Sequence, residues 1–378
     1  MPRRMLLTVL SLLALLHVYI GMRLLPDTGM GAAGIAVAVV LLSVLAVLVP
    51  TGLAASRFKH WRYGEQLVWA ALLAMGFFSS LLVLTVLRDV ALVGLALAGQ
   101  GKAAFSHASA LGVPLAALAV TVAGLVNARR VARVVDVEVP IARLPKALQG
   151  YCIVQISDVH VGPTIKRSYL EAIVSKVNAL QPDAIAITGD LVDGSVNSLC
   201  THTEPLARLA ARDGVFFVTG NHEYYSGADQ WIAELRRLGV TVLLNEHVTR
   251  ERDGARLIIA GVTDYSAHLF DRAHRSDAQQ ALRGAPHDAS VKILLAHQPR
   301  SAPAASAAGF DLQLSGHTHG GQFFPWNLFV PLQQPFIAGL NRLHNLWVYT
   351  SRGTGYWGPP KRFGAPSEIT RVTLVAAL

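Results

Sequence analysis

"SGHTHGGQ", residues Ser315–Gln322, sets two histidines one position apart among glycines, directly after the aliphatic run "LQL". Four other short β-type runs continue in the same manner. "IVQIS" is followed by Asp158-Val159-His160, and "AIAIT" by Gly189-Asp190, with Asp193 three positions on. "VFFVT" leads into Gly220-Asn221-His222-Glu223, and "KILLA" into His297. Five strand candidates thus deliver carboxylate, carboxamide or imidazole groups at their C-terminal ends, where an open α/β sheet gathers its site. Each fragment alone has an ordinary reading: "GD" is a routine turn, and a single histidine after a strand is usually a satisfied loop residue. "GNHE" and "GHTH" are more specific, because glycine lets backbone and side chains crowd a small centre. Five such elements in order argue against coincidence.

The surrounding sequence agrees. From about Val135, short β-branched runs ("YCIVQIS", "AIAIT", "VFFVT", "VTVLL", "RLIIAGV", "VKILLA", "LQLS", "LWVYTS", "ITRVTLV") are bounded by turn or charged residues. Between some of them lie amphipathic stretches, "SYLEAIVSKVNAL" and "ADQWIAELRRLG", the second closing on a glycine of the kind that ends helices. An α/β domain, or a layered β-sandwich with outer helices, fits this order.

Two carboxylates, one amide oxygen and four imidazoles form a mixed oxygen and nitrogen donor set. It suits divalent ions such as Mn²⁺, Fe²⁺, Zn²⁺ or Ni²⁺. There is no thiolate, and a closed structural zinc site needs only four ligands. Seven donors suit two ions that share one carboxylate.

Asp158-x-His160, Gly189-Asp190-x-x-Asp193, Gly220-Asn221-His222-Glu223, His297 and Gly316-His317-x-His319 together resemble the signature of the calcineurin-like metallophosphoesterases, in order and with no departure at a ligand position. The resemblance runs from about Pro140 to the C-terminus. "SGHTHGGQFFPW" and "SRGTGYWG…SEITRVTL" look most like the bacterial membrane-associated branch of that family. The resemblance implies a layered αββα sandwich and two divalent ions, Mn²⁺ first, with Fe, Zn, Ni or Mg as alternatives. It implies Asp158, His160 and His319 on one ion and Asn221, His297 and His317 on the other, with Asp190 bridging. It further implies that His222 is a catalytic group near the scissile phosphate, with Asp193 and Glu223 orienting ligands or His222. The expected reaction is hydrolysis of a phosphoester or pyrophosphate by a hydroxide bridging the metals.

The chain has 378 residues, and its apolar excess lies almost wholly before about residue 130. Four apolar segments, about Met5–Leu25, Gly31–Leu53, Leu67–Leu87 and Ala104–Val126, are each near the ~20 residues that cross a bilayer. The expected organisation is a membrane module over 1–134 and a phosphoesterase domain over 135–378. "MPRRMLLTVL" also invites reading as an export signal, but its apolar run is longer than a signal core and further spans follow. The net charge of +9 is concentrated in that module: residues 1–134 hold eleven basic and three acidic residues, and the rest are nearly balanced. Nucleic-acid binding therefore loses its electrostatic support. Arg3 and Arg4, "SRFKHWRYGEQ" and "ARRVARVV" fall on one side of the four spans. The excess of basic residues there leads one to expect both termini and the polar domain in the cytoplasm, and the resemblance to the bacterial branch implies a bacterial inner membrane. Arg88-Asp89 stands within or near span three, toward its expected outer end, with no buried carboxylate or amine anticipated from a second span. A transport path is thus a weaker reading than an anchor. Of the two cysteines, Cys152 reads as a small packed hydrophobe, which argues against a disulfide with Cys200.

Arg352, set among glycines in "TSRGTGYWG", is a candidate substrate-binding residue, whereas Lys361 and Arg362 read equally as solvated surface charge. Phe323, Phe324, Trp326 and Phe329 read either as core or as an apolar lip facing the bilayer or an acyl chain. Expected partners are the lipid bilayer and a phosphorylated substrate, with a lipid-linked one plausible from the architecture. Some relatives act on a nucleotide-linked acylated sugar, while soluble phosphoesters stay open. The contrasting reading is a catalytically silent membrane sensor or scaffold; it predicts lost ligands, and none is lost.

Overall fold

The computed structural model describes residues 3–53, 62–101 and 103–377. The chain divides into two compact units, Met1–Val126 with Gly358–Lys361, and Asn127–Trp357 with Arg362–Leu378.

The first unit is built on α1 (Arg3–Leu24), α2 (Ala32–Leu53), α3 (Gly64–Leu97) and α4 (Ala103–Arg129), the last turn of α4 belonging to the second unit. All four are long and apolar enough to cross a membrane. Their mutual faces bury Ile20, Val49, Phe78, Leu81, Val113 and Ala117, while Leu15, Leu41, Val47 and Leu115 point outward. An apolar outer face is what hydrocarbon, not water, accommodates. Of the basic residues used to assign orientation, Arg57 and Lys59 lie outside the described residues, as does Lys102.

Two expectations change here. The third apolar segment was expected to end near Leu87, but the helix runs to Leu97, so Arg88-Asp89 is inside it. The charge is tolerated because it is partnered. The buried Arg88 guanidinium pairs with Asp27, in the turn after α1, and donates to Ser109 Oγ at 2.9 Å and to the Arg23 carbonyl at 2.9 Å. Asp89 pairs with Arg23 at 2.8 Å and accepts from Tyr19 Oη at 2.6 Å. Lys361 is also no surface residue. It is buried within this unit, with Nζ 2.8 Å from the Gly76 carbonyl and 3.3 Å from Thr121 Oγ1.

The second unit opens with β1 (Arg133–Ile141) and β2 (Cys152–Ile156), followed by α5 (Arg167–Ala179), β3 (Ala184–Ile187) and α6 (Val196–Thr203). Then come β4 (Val215–Phe217), α7 (Asn221–Ser226), α8 (Ala228–Arg237), β5 (Thr241–Val242), β6 (Glu246–Arg252), β7 (Ala255–Gly261) and β8 (Val291–Leu295). The unit closes with α9 (Ala302–Ala308), β9 (Leu312–Ser315), β10 (Gly339–Leu343), β11 (Leu346–Thr350) and β12 (Glu368–Ala376). One six-stranded sheet has the order β1-β12-β2-β3-β4-β5, and the other β10-β11-β9-β8-β7-β6.

The alternation of β-strand side chains sorts the residues into layers. Ile153, Ala186 and Phe216 of the first sheet share an inner core with Leu257, Ile293, Leu312 and Tyr349 of the second. On the outer face of the first sheet, Val154, Ile156, Ile185 and Phe217 pack against Leu170 and Ile173 of α5 and Trp231 and Leu235 of α8. Ile258, Leu294 and Val348 pack with Ala302 and Ala305 of α9 beyond the second sheet. The result is the expected layered αββα sandwich following four apolar helices. Both cysteines are free thiols, and Cys152 packs half-buried against the first-sheet core.

Candidate metal centre

β2, β3 and β4 are parallel neighbours in one sheet, and β8 and β9 are parallel neighbours in the other. Their C-terminal ends open on the same edge of the sandwich: His319, after β9, brings Nε2 to 3.5 Å from Oδ1 of Asp158, after β2, and His297, after β8, stands 3.2 Å from Asp190, after β3. There the structure gathers Asp158, His160, Asp190, Asn221, His297, His317 and His319, together with Asp193, His222 and Glu223. Ligand-type atoms of Asp158, His160 and His319 lie within 4.8 Å of one another, as do those of Asp190, His297 and His317, and those of His160, Asp193 and His222.

The loops that carry them are strained. Asp158, His160, Asp190, His317 and His319 have φ between 49° and 70°, a left-handed backbone that non-glycine residues seldom adopt. Each such residue costs about 1–3 kcal/mol and persists only where its surroundings over-determine it. The supports are visible. The Glu223 carboxylate accepts from the Asp190 N–H at 3.0 Å, the Leu191 N–H at 2.8 Å and the Gly220 N–H at 2.6 Å, tying the loop after β3 to the loop after β4. Asp158 accepts from the His317 N–H at 3.0 Å, and Asp190 Oδ1 from the His222 N–H at 2.8 Å. The glycines are needed for space. A Cβ at Gly220 would fall 2.2 Å from Asp190 Oδ1, and one at Gly316 would fall 2.1 Å from Asp158 Oδ2.

The donor set fits divalent ions on its own chemistry. The buried Asn221 Oδ1 has no hydrogen-bond partner among the described residues, an arrangement proteins avoid unless an ion or water completes it. His297 uses Nδ1 on the Thr188 carbonyl at 2.8 Å, so its Nε2 meets Asp190 Oδ2 at 3.2 Å. In the neutral ring two acceptors then face each other, and a proton or a cation must lie between them. The ring nitrogens of His160 and His319 approach to 3.1 Å, and those of His297 and His317 to 3.2 Å. Ligands ~2.1 Å from a shared ion stand about that far apart. Burial, then the positive field of His297, draws His317 down to about 3; burial, then Arg362, holds His319 well below the ordinary histidine range. Both rings are therefore neutral, the form that binds metal.

His222 sits differently. Its Nδ1 is 2.6 Å from Asp193 Oδ1, and the same oxygen is 3.0 Å from His160 Nδ1. Burial opposes its cation, yet the Asp193 hydrogen bond and the charge of Asp190 push it up to about 9. Its other ring nitrogen is 4.0 Å from Asp190 Oδ2. Tyr225 and Trp357 flank the ring, their centroids 5.2 and 5.7 Å away.

Arg352 stands against Gly320 of the metal loop, with Nη1 on Glu368 Oε2 at 3.0 Å. Arg362, read from the sequence either as a contact for an anionic substrate or as solvated charge, is instead fully buried behind the site. It donates to the carbonyls of Gly355 at 3.0 Å, His319 at 3.0 Å and Arg352 at 2.7 Å, and stands 3.0 Å from His319 Nδ1. Neither Arg362 nor Trp357 carries a sequence signal for this placement, because both reach the site through an irregular loop distant in sequence from the strand ends.

A model of the calcineurin-like phosphoesterase family matches residues 152–321. Over 332 residues the chain is 33% identical to an uncharacterised metallophosphoesterase of Campylobacter jejuni, spanning 85% of this chain and 86% of that one. It is also similar to proteins described as transmembrane proteins with a metallophosphoesterase domain: 42% identical over 262 residues in Danio rerio and 43% over 268 residues in Bos taurus. These matches cover 67% and 68% of this chain but 60% of each relative, so the chain spans about three fifths of their length. The chain belongs to the calcineurin-like metallophosphoesterases.

Proposed function

We propose that this protein is a membrane-anchored, metal-dependent phosphoester hydrolase acting through two divalent ions. The observation that carries the reading is the convergence of Asp158, His160, Asp190, His297, His317 and His319 at strand ends, with the nearby buried Asn221 Oδ1 left without a partner among the described residues. Asp158, His160 and His319 would hold one ion, Asn221, His297 and His317 the other, and Asp190 both. Ions held there would supply Lewis-acid polarisation of a phosphoryl group and acidify a water, and Mn²⁺ is the first choice for this oxygen and nitrogen set.

The chain's own residues supply geometry and a proton. Asp193 fixes the His222 ring through Nδ1 and favours its cation, so the opposite nitrogen faces the centre as a proton donor to a leaving oxygen. Glu223 holds the Asp190 loop through three backbone N–H groups. Arg352, whose side chain packs beside Gly320 of the metal loop, would add positive charge for an anionic substrate. The apolar helices hold the catalytic unit at a membrane, on the side of the basic loops, the cytoplasmic face of a bacterial inner membrane. A lipid-linked phosphate or pyrophosphate is the substrate class this architecture suits best.

The test uses the full chain, purified in detergent and supplied with Mn²⁺, acting on an aryl phosphodiester, an aryl phosphomonoester and a membrane-lipid extract, with His222→Ala as control. Hydrolysis that the substitution removes supports the reading. Equal inertness of both proteins across several divalent metals, with two ions bound, would instead make it a silent sensor.

A further inference from the structure

Directly after the metal loop the chain exposes apolar side chains in an orderly way. Phe323 is buried, but Phe324 is 50% exposed, Leu328 62%, Phe329 53% and Leu332 80%. No charged residue occurs between Gly320 and Asn341. The segment is held firmly, so its exposure is not fraying. Phe324 N–H donates to the Phe363 carbonyl at 3.1 Å, Asn327 packs so closely on Gly321 that a Cβ there would meet its backbone nitrogen at 2.3 Å, and Gln334 Nε2 donates to Gln298 at 3.1 Å. Two short 3₁₀ turns, Trp326–Leu328 and Val330–Leu332, satisfy backbone groups internally: Leu328 N–H donates to Pro325 at 2.9 Å, Phe329 to Trp326 at 3.0 Å and Leu332 to Phe329 at 3.1 Å. A backbone that meets its own hydrogen-bonding needs is the requirement for entering a layer poor in water.

We infer that the segment Phe324–Leu332 inserts its exposed side chains into the interfacial layer of a lipid bilayer. A rigid, charge-free apolar strip on a folded unit marks an interaction surface, and two observations select lipid as its occupant. The same chain carries four helices apolar enough to cross a membrane. The strip's mixture of phenylalanine, leucine and one tryptophan is what membrane–water interfaces accept. Gln322, at the start of the strip, bonds both the N–H and the carbonyl of Trp357 at 2.8 Å, and the Trp357 ring flanks His222. Insertion would therefore hold the mouth of the metal centre at headgroup depth. The membrane contact itself is independent of whether the centre is catalytic.

The experiment uses the full chain with Cys152→Ala and Cys200→Ala. Single cysteines at Phe329→Cys, Leu332→Cys, Leu115→Cys on the outward face of α4 and Glu251→Cys on an exposed strand carry an environment-sensitive fluorophore. Each protein is placed in phosphatidylcholine nanodiscs with and without lipids spin-labelled near the headgroup, and is also titrated with iodide. The expected result is a loss of emission of about twofold or more at positions 329 and 332 with spin-labelled lipid and weak iodide quenching, while position 251 shows the reverse. Iodide quenching at 329 and 332 equal to that at 251 would overturn the proposal, and so would shielding from both quenchers, which means cover by protein or by a second copy. No lipid quenching at position 115 would overturn the membrane reading of the helices along with this one; quenching at 115 alone overturns only the insertion.

Discussion

Nδ1 of His222 lies 2.6 Å from Oδ1 of Asp193, and that single oxygen also stands 3.0 Å from Nδ1 of His160. One carboxylate thus orients both the proposed proton donor and a proposed metal ligand. Asp193→Asn keeps the shape but removes the charge that favours the His222 cation. Turnover is expected to fall about 10–100-fold, the usual cost of losing such a support. Ion affinity should weaken as well, measured by titration calorimetry with Mn²⁺. Unchanged kinetics and affinity would separate Asp193 from the centre.

Asp190 is the carboxylate nearest to donors of both groups, 3.2 Å from His297 Nε2 and 4.0 Å from His160 Nε2. Asp190→Asn is expected to abolish turnover and to lower the bound metal from two ions per chain, read by plasma mass spectrometry on protein equilibrated with Mn²⁺. An active, fully loaded variant would refute the bridging assignment.

Crowding around the glycines makes a steric prediction. In Gly220→Ala the new methyl would lie 2.2 Å from Asp190 Oδ1, forcing the loops after β3 and β4 apart. Metal content and melting temperature should both fall. Gly112→Ala, in α4 with open space around it, should leave both unchanged or raise the melting point slightly, since alanine favours helix by about 1 kcal/mol.

Arg362→Met removes the buried donors that satisfy carbonyls of Gly355, His319 and Arg352. Leaving such groups unmet costs on the order of 1–3 kcal/mol, so a melting point several degrees lower is expected by nanoscale fluorimetry. A surface arginine would show almost no effect.

Within the helical unit, Arg88→Leu strands Asp27, and Asp27→Asn weakens the hold on Arg88. Each alone is expected to destabilise the unit by about 1–3 kcal/mol, reduced from the fully buried case because Asp27 is partly exposed. The double variant should cost less than the sum, as coupled partners do. Additivity in unfolding measurements would show that the pair is uncoupled.

The strands legible in the sequence were those covered on both faces or closed by a turn, such as β2, β3, β8 and β9. The ones that escaped notice, β1, β6 and β10, all lie at sheet edges. In β6 the segment "EHVTRER" lacks the apolar alternation that betrays a strand, because neither of its faces is fully buried. The helix around Arg88 was read too short for a related reason: a hydropathy pattern sees a charge but not the partner that neutralises it.

By itself the sequence determined the four apolar segments, the order of β-runs and helices and the ten polar residues at strand ends, since these depend on local periodicity and composition. Tertiary structure alone decided that two parallel strand sets open on one edge and that Asp193 serves two histidines. It also buried Arg362 behind His319 and left the strip after the metal loop exposed. These relationships join residues far apart along the chain, and no local pattern records which distant group will neutralise a charge, satisfy a carbonyl or cover an apolar face.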